Sequence, residues 1–381
     1  MSTLLTTSLS ILFSASCFFL TACSAQNIAP PLAIAETQPT PIPSNDGVIT
    51  IAAVGDIMLG STSINDTFLP PNDGRDSLKA VTPILAAADI AFGNLEGPLV
   101  EGGISTKCPP PKPPPPGVAV KPSRCFAFRS PTRYGKYLKD AGFDVLSVAN
   151  NHASDFGEQG RVSTRKALDG LGIAHAGGDR GSYAMTIVES KGKKIAFIGF
   201  AHNAINPNVN ELDAAAQLVR SAKKKADLVV VSFHGGAEGE AAQNVPRATE
   251  IFVGEKRGNL PLFAKTVVDA GADLVLGHGP HVLRGMEIYK DRLIVYSMGN
   301  FATYGMFNLK GAQGLTGIFE IRLGLDGNFV GGKIHAGKQL GRGMPELDAT
   351  GEAVRKIRSL SQADFPTTAP KIADDGTISP R

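Results

Sequence analysis

From residue 48 to about residue 360 the chain alternates segments of helical periodicity with short runs of β-branched and other apolar residues. Runs that are apolar at every position suit strands covered on both faces, so the pattern predicts an α/β architecture. Four units repeat one phrase. Residues 78–87 lead to Asp89-Ile-Ala-Phe-Gly-Asn94-Leu-Glu96, and residues 134–141 lead to Asp144-Val-Leu-Ser-Val-Ala-Asn150-Asn151-His152. Residues 214–225 precede Asp227-Leu-Val-Val-Val-Ser-Phe-His234, and residues 260–270 precede Asp273-Leu-Val-Leu-Gly-His278-Gly-Pro-His281. Each phrase is a helix, a turn, an Asp, an apolar strand, and then Asn, Glu or His.

Further strands are expected at 195–200 and 293–298, with an antiparallel pair at 315–323 and 328–338 joined through Asp326-Gly327, a hairpin signal. The reading is one domain over 47–360, with two sheets packed face to face and helices outside. In open α/β sheets, ligands occupy the crevice beyond the carboxyl ends of the strands. The four tips and Val54-Gly55-Asp56 are therefore expected to converge on one pocket.

Collected, the tips offer Asp56, Asn94, Glu96, Asn150, Asn151, His152, His234, His278 and His281, with Asn300 close behind. Imidazole, carboxylate and amide oxygen without thiolate suit a divalent Zn, Mn or Fe better than an all-oxygen Mg or Ca cage. His202 also follows a strand; His175 and His335 are read as structural. Glu238, four residues after His234, is either an orienter of a ligand histidine or a solvated loop residue.

The ends of the chain carry other information. Residues 1–22 contain no charged side chain, and their apolar stretch from Leu9 to Ala22 is shorter than a bilayer span but suits a secretory signal. Leu20-Thr21-Ala22-Cys23 resembles the lipobox of bacterial lipoproteins, which implies lipidation at Cys23, anchoring to a membrane and residence in the cell envelope. Residues 23–46 have the composition of a flexible linker, and 361–381 read as a disordered tail. Export leaves Cys108 and Cys125, and an oxidising compartment favours pairing them across the proline-rich insertion at 107–125. A net charge of +3 over 381 residues leaves no nucleic-acid footprint. No Gly-x-Ser-x-Gly, Walker loop or His-Glu-x-x-His occurs, so serine hydrolase, nucleotide-dependent ligase and zincin chemistry have no support.

Six blocks in order, Gly55-Asp56-Ile-Met-Leu-Gly60, Gly93-Asn94-Leu-Glu96-Gly-Pro98, Ala149-Asn150-Asn151-His152-Ala153, His234-Gly-Gly-Ala-Glu238, Gly277-His278-Gly-Pro-His281-Val282 and Tyr296-Ser-Met-Gly-Asn300-Phe301, resemble the CapA-type branch of the calcineurin-like metallophosphoesterases. That resemblance implies a four-layer αββα fold with one or two divalent metals at the sheet edge. Asp56, Glu96, Asn151, His234, His278 and His281 would be ligands and His152 a catalytic group, with Asn94, Asn150, Glu238 and Asn300 as supporting or substrate-contacting residues. Met58 stands where the wider superfamily has a His, which removes a ligand. The function implied is hydrolysis of a phosphoester or related bond in the making of poly-γ-glutamate or another anionic surface polymer. Two alternatives remain open at this point: a non-catalytic envelope protein that binds the polymer or serves as accessory to a membrane synthase complex, and a metal-dependent amide hydrolase or transferase acting on γ-glutamyl polymer.

Overall fold

The computed structural model describes residues 47–108 and 125–381. The signal and linker at 1–46, with Cys23, and the proline run at 109–124 lie outside the described residues. In chain order the strands are β1 (Val48–Met58), β2 (Ile90–Leu95), β3 (Val145–Ser147), β4 (Ala174–Ala176), β5 (Met185–Ser190), β6 (Lys193–Ala201), β7 (Leu228–His234), β8 (Glu250–Phe252) and β9 (Glu255–Gly258). They continue with β10 (Leu274–His278), β11 (Met286–Tyr289), β12 (Arg292–Val295), β13 (Asn300–Thr303), β14 (Leu315–Gly324), β15 (Phe329–Leu340), β16 (Met344–Leu347), β17 (Lys371–Ile372) and β18 (Thr377–Ser379). The helices are α1 (Thr82–Leu85), α2 (Gly135–Asp140), α3 (Gly157–Gly170), α4 (Leu212–Lys223), α5 (Leu260–Asp269) and α6 (Glu352–Asp364).

One sheet runs β17-β18-β15-β14-β1-β2-β3-β4, with β13 paired to β1 and β16 to β15; the other runs β11-β12-β10-β7-β6-β5, and β8-β9 is a separate hairpin. The continuous apolar runs are explained by what lies on each face. In β1, Ile51 and Ala53 face the core between the sheets, while Ala52 and Val54 face a second cluster holding Leu85, Leu138 and Leu168 from α1, α2 and α3. In β7, Leu228 and Val230 face the same inner core, while Val229 and Val231 pack with Val219 of α4 and Phe263 of α5. Phe92 stacks on Phe197 across the inner core with centroids 5.5 Å apart. Two inner faces and two helical layers make the four-layer αββα order.

The Asp that opens each phrase has one recurring task. Asp89 Oδ2 accepts the Thr50 N–H, Asp144 Oδ2 the Ala91 N–H, Asp227 Oδ2 the Lys194 N–H, and Asp273 Oδ2 the Val229 N–H, at 2.8 to 2.9 Å. Each carboxylate thus satisfies a backbone donor at the start of the neighbouring strand, where the parallel ladder has no carbonyl to offer. That latch fixes the register, and the register sets which residues meet at the far ends: Asp56 opposite Asn94 and Asn300, and His234 opposite His278.

Two expectations change. Of residues 78–87 only Thr82–Leu85 is α-helical, the preceding residues forming turns. The segment 361–381 is no disordered tail: α6 runs to Asp364, Phe365 and Ile378 are buried, and β17-β18 extend the first sheet along β15. A strand pair at a sheet edge buries only alternate residues, so polar composition concealed it.

Candidate metal centre

The carboxyl ends of the two sheets meet at one edge, and a tight backbone approach brings them together. The Asp56 N–H donates to the Gly299 carbonyl at 2.9 Å, and a Cβ on Gly55 would lie 2.0 Å from that same oxygen, so position 55 has no room for a side chain. Asp56, fully buried, is the hub. Its Oδ1 accepts from Asn94 Nδ2 at 2.8 Å and lies 3.4 Å from His278 Nδ1; its Oδ2 lies 3.0 Å from His281 Nδ1.

His281 sits in a turn that constrains it. Its φ is +57°, in the left-handed region that a side chain rarely adopts, after Gly279 at +110° and Pro280. Asn300 holds this turn from two sides, donating through Nδ2 to the His281 carbonyl at 3.3 Å and accepting from the ring Nδ1 at 3.0 Å. Both partners of Nδ1, Asp56 Oδ2 and Asn300 Oδ1, are acceptors, so Nδ1 carries the proton. Nε2 then faces Glu96 Oε1 at 3.7 Å and Glu238 Oε2 at 3.8 Å. Asp56, Glu96 and His281 each offer a ligand atom within 4.8 Å of the others.

The remaining tip residues complete the wall. Asn150 Nδ2 donates to Asn94 Oδ1 at 3.2 Å and to the Leu95 carbonyl at 2.8 Å, while its Oδ1 accepts the His152 N–H at 3.1 Å. Asn94 Nδ2 lies 3.4 Å from His234 Nδ1. His152 Nε2 faces Glu96 Oε1 at 3.8 Å. Glu238, expected beside a ligand histidine or in solvent, lies near His281 and accepts from Arg257 at 2.8 Å.

Among the described residues, several buried atoms here lack any hydrogen-bond partner: both oxygens of Glu96, Oδ1 of Asn151, Nε2 of His234 and both ring nitrogens of His278. A fold leaves such atoms unsatisfied at a cost of about 1–3 kcal/mol each, more for charged groups, unless something else binds them. All belong to residue types that ligate divalent metals, and they lie on the tips that meet here, so the donor set fits such a cation.

Protonation follows the same crowding. Burial pushes the Glu96 carboxyl well above the usual carboxylate range. Burial would raise Asp56 too, but the imidazoles of His278 and His281 hold it far below that range. Burial alone would lower His281, yet Glu96 and Asp56 raise it to about 10. His234 is driven well below its ordinary value by burial. Without a cation, the cluster therefore stores protons where a metal would place charge.

Sequence reasoning missed Asp155, Lys107 and Phe128. Asp155 Oδ2 lies 2.7 Å from His152 Nδ1, which fixes the ring so that Nε2 faces the cluster. Lys107 Nζ lies 3.2 Å from the same Nδ1, and the Phe128 ring stacks on the imidazole with centroids 4.0 Å apart. The spacing His152-x-x-Asp155 is visible in the sequence; Lys107 and Phe128 arrive from the two sides of an insertion that Cys108 and Cys125 close as a disulfide. His175 and His335 pair with Asp169 and Glu320 away from the site, as structural residues do.

A family model, the bacterial capsule synthesis protein PGA_cap, matches residues 50–304. The PGA biosynthesis protein CapA of Bacillus subtilis is 32% identical over 272 residues, which cover 68% of this chain and 64% of that protein. The capsule biosynthesis protein CapA of Bacillus anthracis is 30% identical over 273 residues, covering 66% and 59%. The aligned part is thus less than two thirds of either relative's own length. Among solved structures, a hypothetical protein from Thermus thermophilus superposes with a TM-score of 0.44 at 15% identity, over 76% of this chain and 98% of that one, an overlap too loose to bear on function. The matched span begins in β1 and ends just after β13, and so contains every residue of the cluster; the chain belongs to the bacterial capsule synthesis protein PGA_cap family.

Proposed function

We propose that this chain is a metal-dependent hydrolase of a phosphoester or related bond, acting in the biosynthesis of poly-γ-glutamate or another anionic surface polymer. In this reading it is exported and held in the cell envelope by a lipid on Cys23. The observation that carries the proposal is the set of unpartnered ligand atoms on Glu96, His234 and His278 around Asp56 and His281.

Asp56, Glu96, Asn151, His234, His278 and His281 would hold one or two divalent ions, Mn, Zn or Fe. Such an ion supplies Lewis acidity and lowers the pKa of water enough to furnish a nucleophile near neutral pH. The chain's own residues do the rest. Asn94 and Asn150 tie the tips together, Asn300 orients His281, and His152 presents Nε2 to Glu96 while Asp155 holds the other nitrogen. Burial lowers the pKa of His152 against the pull of Asp155. With Nδ1–H held by Asp155, Nε2 of the neutral ring first takes up a proton, and the lowered pKa makes the resulting imidazolium a ready donor to a leaving oxygen, the role of a general acid.

With Mn²⁺ present, the chain is expected to release phosphate from aryl phosphates, and His152→Ala to lower kcat by about 10²–10⁴-fold with little change in KM, the usual range for losing a positioned acid. Wild-type protein that holds metal yet hydrolyses neither mono- nor diesters would contradict the proposal. That outcome would favour the second reading, a non-catalytic accessory to a membrane synthase complex. Met58 lends that reading its support, because a fully buried thioether on β1, two residues after Asp56, adds nothing for a hard cation.

A further inference from the structure

The two sides of the insertion at 107–125 converge on His152. On the entering side, the Lys107 ammonium lies 3.2 Å from His152 Nδ1 and 3.5 Å from Asp155 Oδ1. On the leaving side, Phe128 stacks on the imidazole and its N–H donates to Asp155 Oδ2 at 2.7 Å. The Cys108–Cys125 bridge lies between them, with Cα atoms 5.7 Å apart. The entering segment is pinned as well, since Ser105 Oγ–H and Thr106 N–H both donate to the Asp155 carbonyl at 2.9 Å.

Charge gives this arrangement a purpose. Asp56, Glu96, Asp155 and Glu238 all reach the site, and once a cation has displaced the protons held by Glu96 and His281 an anionic substrate meets four carboxylates, which repel it except where cations offset them. A bound metal offsets part. Among the described residues, two Lys or Arg side chains touch these carboxylates, and they differ. Arg257 is buried and donates to both Glu238 and Glu255, so its fork is committed. Lys107 keeps 36% of its side chain exposed. An ammonium has three donors on a flexible stem, so beside Asp155 it keeps donors to spare, and its backbone anchors set the range it can reach.

We propose that Lys107 binds an anionic oxygen of the substrate at the mouth of the site and that the Cys108–Cys125 bridge is the element that positions it. This rests on the proposed function only for the substrate being an anion; binding of an anion does not require turnover. The substrate class that fits carries negative charge beside the bond to be cleaved, as a phosphoester or a polyanionic polymer does.

The test uses the full chain loaded with Mn²⁺ and inorganic phosphate as probe, by isothermal titration calorimetry, with phenyl phosphate kinetics alongside. Lys107→Gln is expected to weaken phosphate binding at least about tenfold, the loss of one charge-assisted hydrogen bond to an anion, and to raise KM for phenyl phosphate in parallel. Lys107→Arg should recover most of the affinity, which a loss of fold would not permit. The Cys108→Ser/Cys125→Ser double variant should weaken phosphate to a similar degree, and adding Lys107→Gln to it should weaken it little further. Unchanged phosphate affinity in Lys107→Gln would overturn the proposal. A loss in Lys107→Gln with none in the double variant would overturn the positioning role of the bridge. Phosphate binding that falls as expected in a chain that hydrolyses nothing would sink the hydrolase reading and leave this one standing.

Discussion

Glu96→Gln is expected to strip the site of its metal and, at the same time, to make the metal-free domain more stable at pH 8. Glu96 is buried with neither oxygen hydrogen-bonded, and its carboxyl is pushed well above the usual range by that burial. For a group whose pKa is raised by folding, the favourable contribution is complete below the ordinary carboxylate range and is lost as pH rises through the raised value. Metal-free wild type should therefore lose thermal stability as pH rises above about 4.3, the ordinary Glu value. Glutamine keeps the shape and cannot ionise, so the variant should be spared that loss. Metal reverses the ranking. A cation at 100 times its Kd stabilises the wild type by about 2.7 kcal/mol. The variant should bind it more than about 100-fold more weakly, beyond the loss typical of residues that only orient ligands. Differential scanning fluorimetry from pH 5 to 9, with and without Mn²⁺, reads both effects; a variant that gains thermal stability from Mn²⁺ as the wild type does would remove Glu96 from the ligand set.

Arg284→Ala is expected to cost about 3–5 kcal/mol of stability, the largest loss anticipated for a single substitution here. Arg284 is fully buried and donates through both terminal nitrogens to Glu250, at 2.9 and 2.7 Å, and through Nε to the Ala242 carbonyl at 2.7 Å. Glu250 in turn accepts the Ala237 N–H at 2.9 Å. The pair ties the excursion at 235–258, which carries Glu238 and Arg257, to the segment just after His281. Alanine leaves the Glu250 carboxylate buried with its main partner gone, and that uncompensated charge is the source of the penalty. Replacing both members by apolar side chains of similar size, Arg284→Met with Glu250→Leu, should recover most of the loss in urea unfolding. If Arg284→Ala shifts the urea midpoint no more than an exposed arginine would, the pair is not the anchor of that excursion.

The repeated phrase made the fold legible, because its parts answer separate physical demands. The apolar run is continuous where a strand is covered on both faces, as in β7. The leading Asp at 89, 144, 227 and 273 latches the neighbouring strand that precedes it in the chain, a role that only the hydrogen bonds reveal. The polar tip follows the carboxyl end, and the register then brings Asp56 to Asn94 and His234 to His278. Less legible were contacts between segments that share no pattern. Asp155, Lys107 and Phe128 surround His152 from a turn and from two sides of an insertion, and nothing in local periodicity links them. The pair of cysteines was the one sequence feature that could have joined 107 to 128. The segment 361–381 reads as a tail because Phe365, Ala369, Ile372 and Ile378 are spaced too widely to look like a core, though each is buried.

The most direct test of the metal-dependent reading is the metal content of the full chain after mild purification, by elemental analysis, for wild type beside Asp56→Ala and His281→Ala. The expected result is one to two equivalents of Mn, Zn or Fe in the wild type and none in either variant, with circular dichroism unchanged. A folded wild type that retains no metal even after incubation with Mn²⁺ or Zn²⁺ would contradict it.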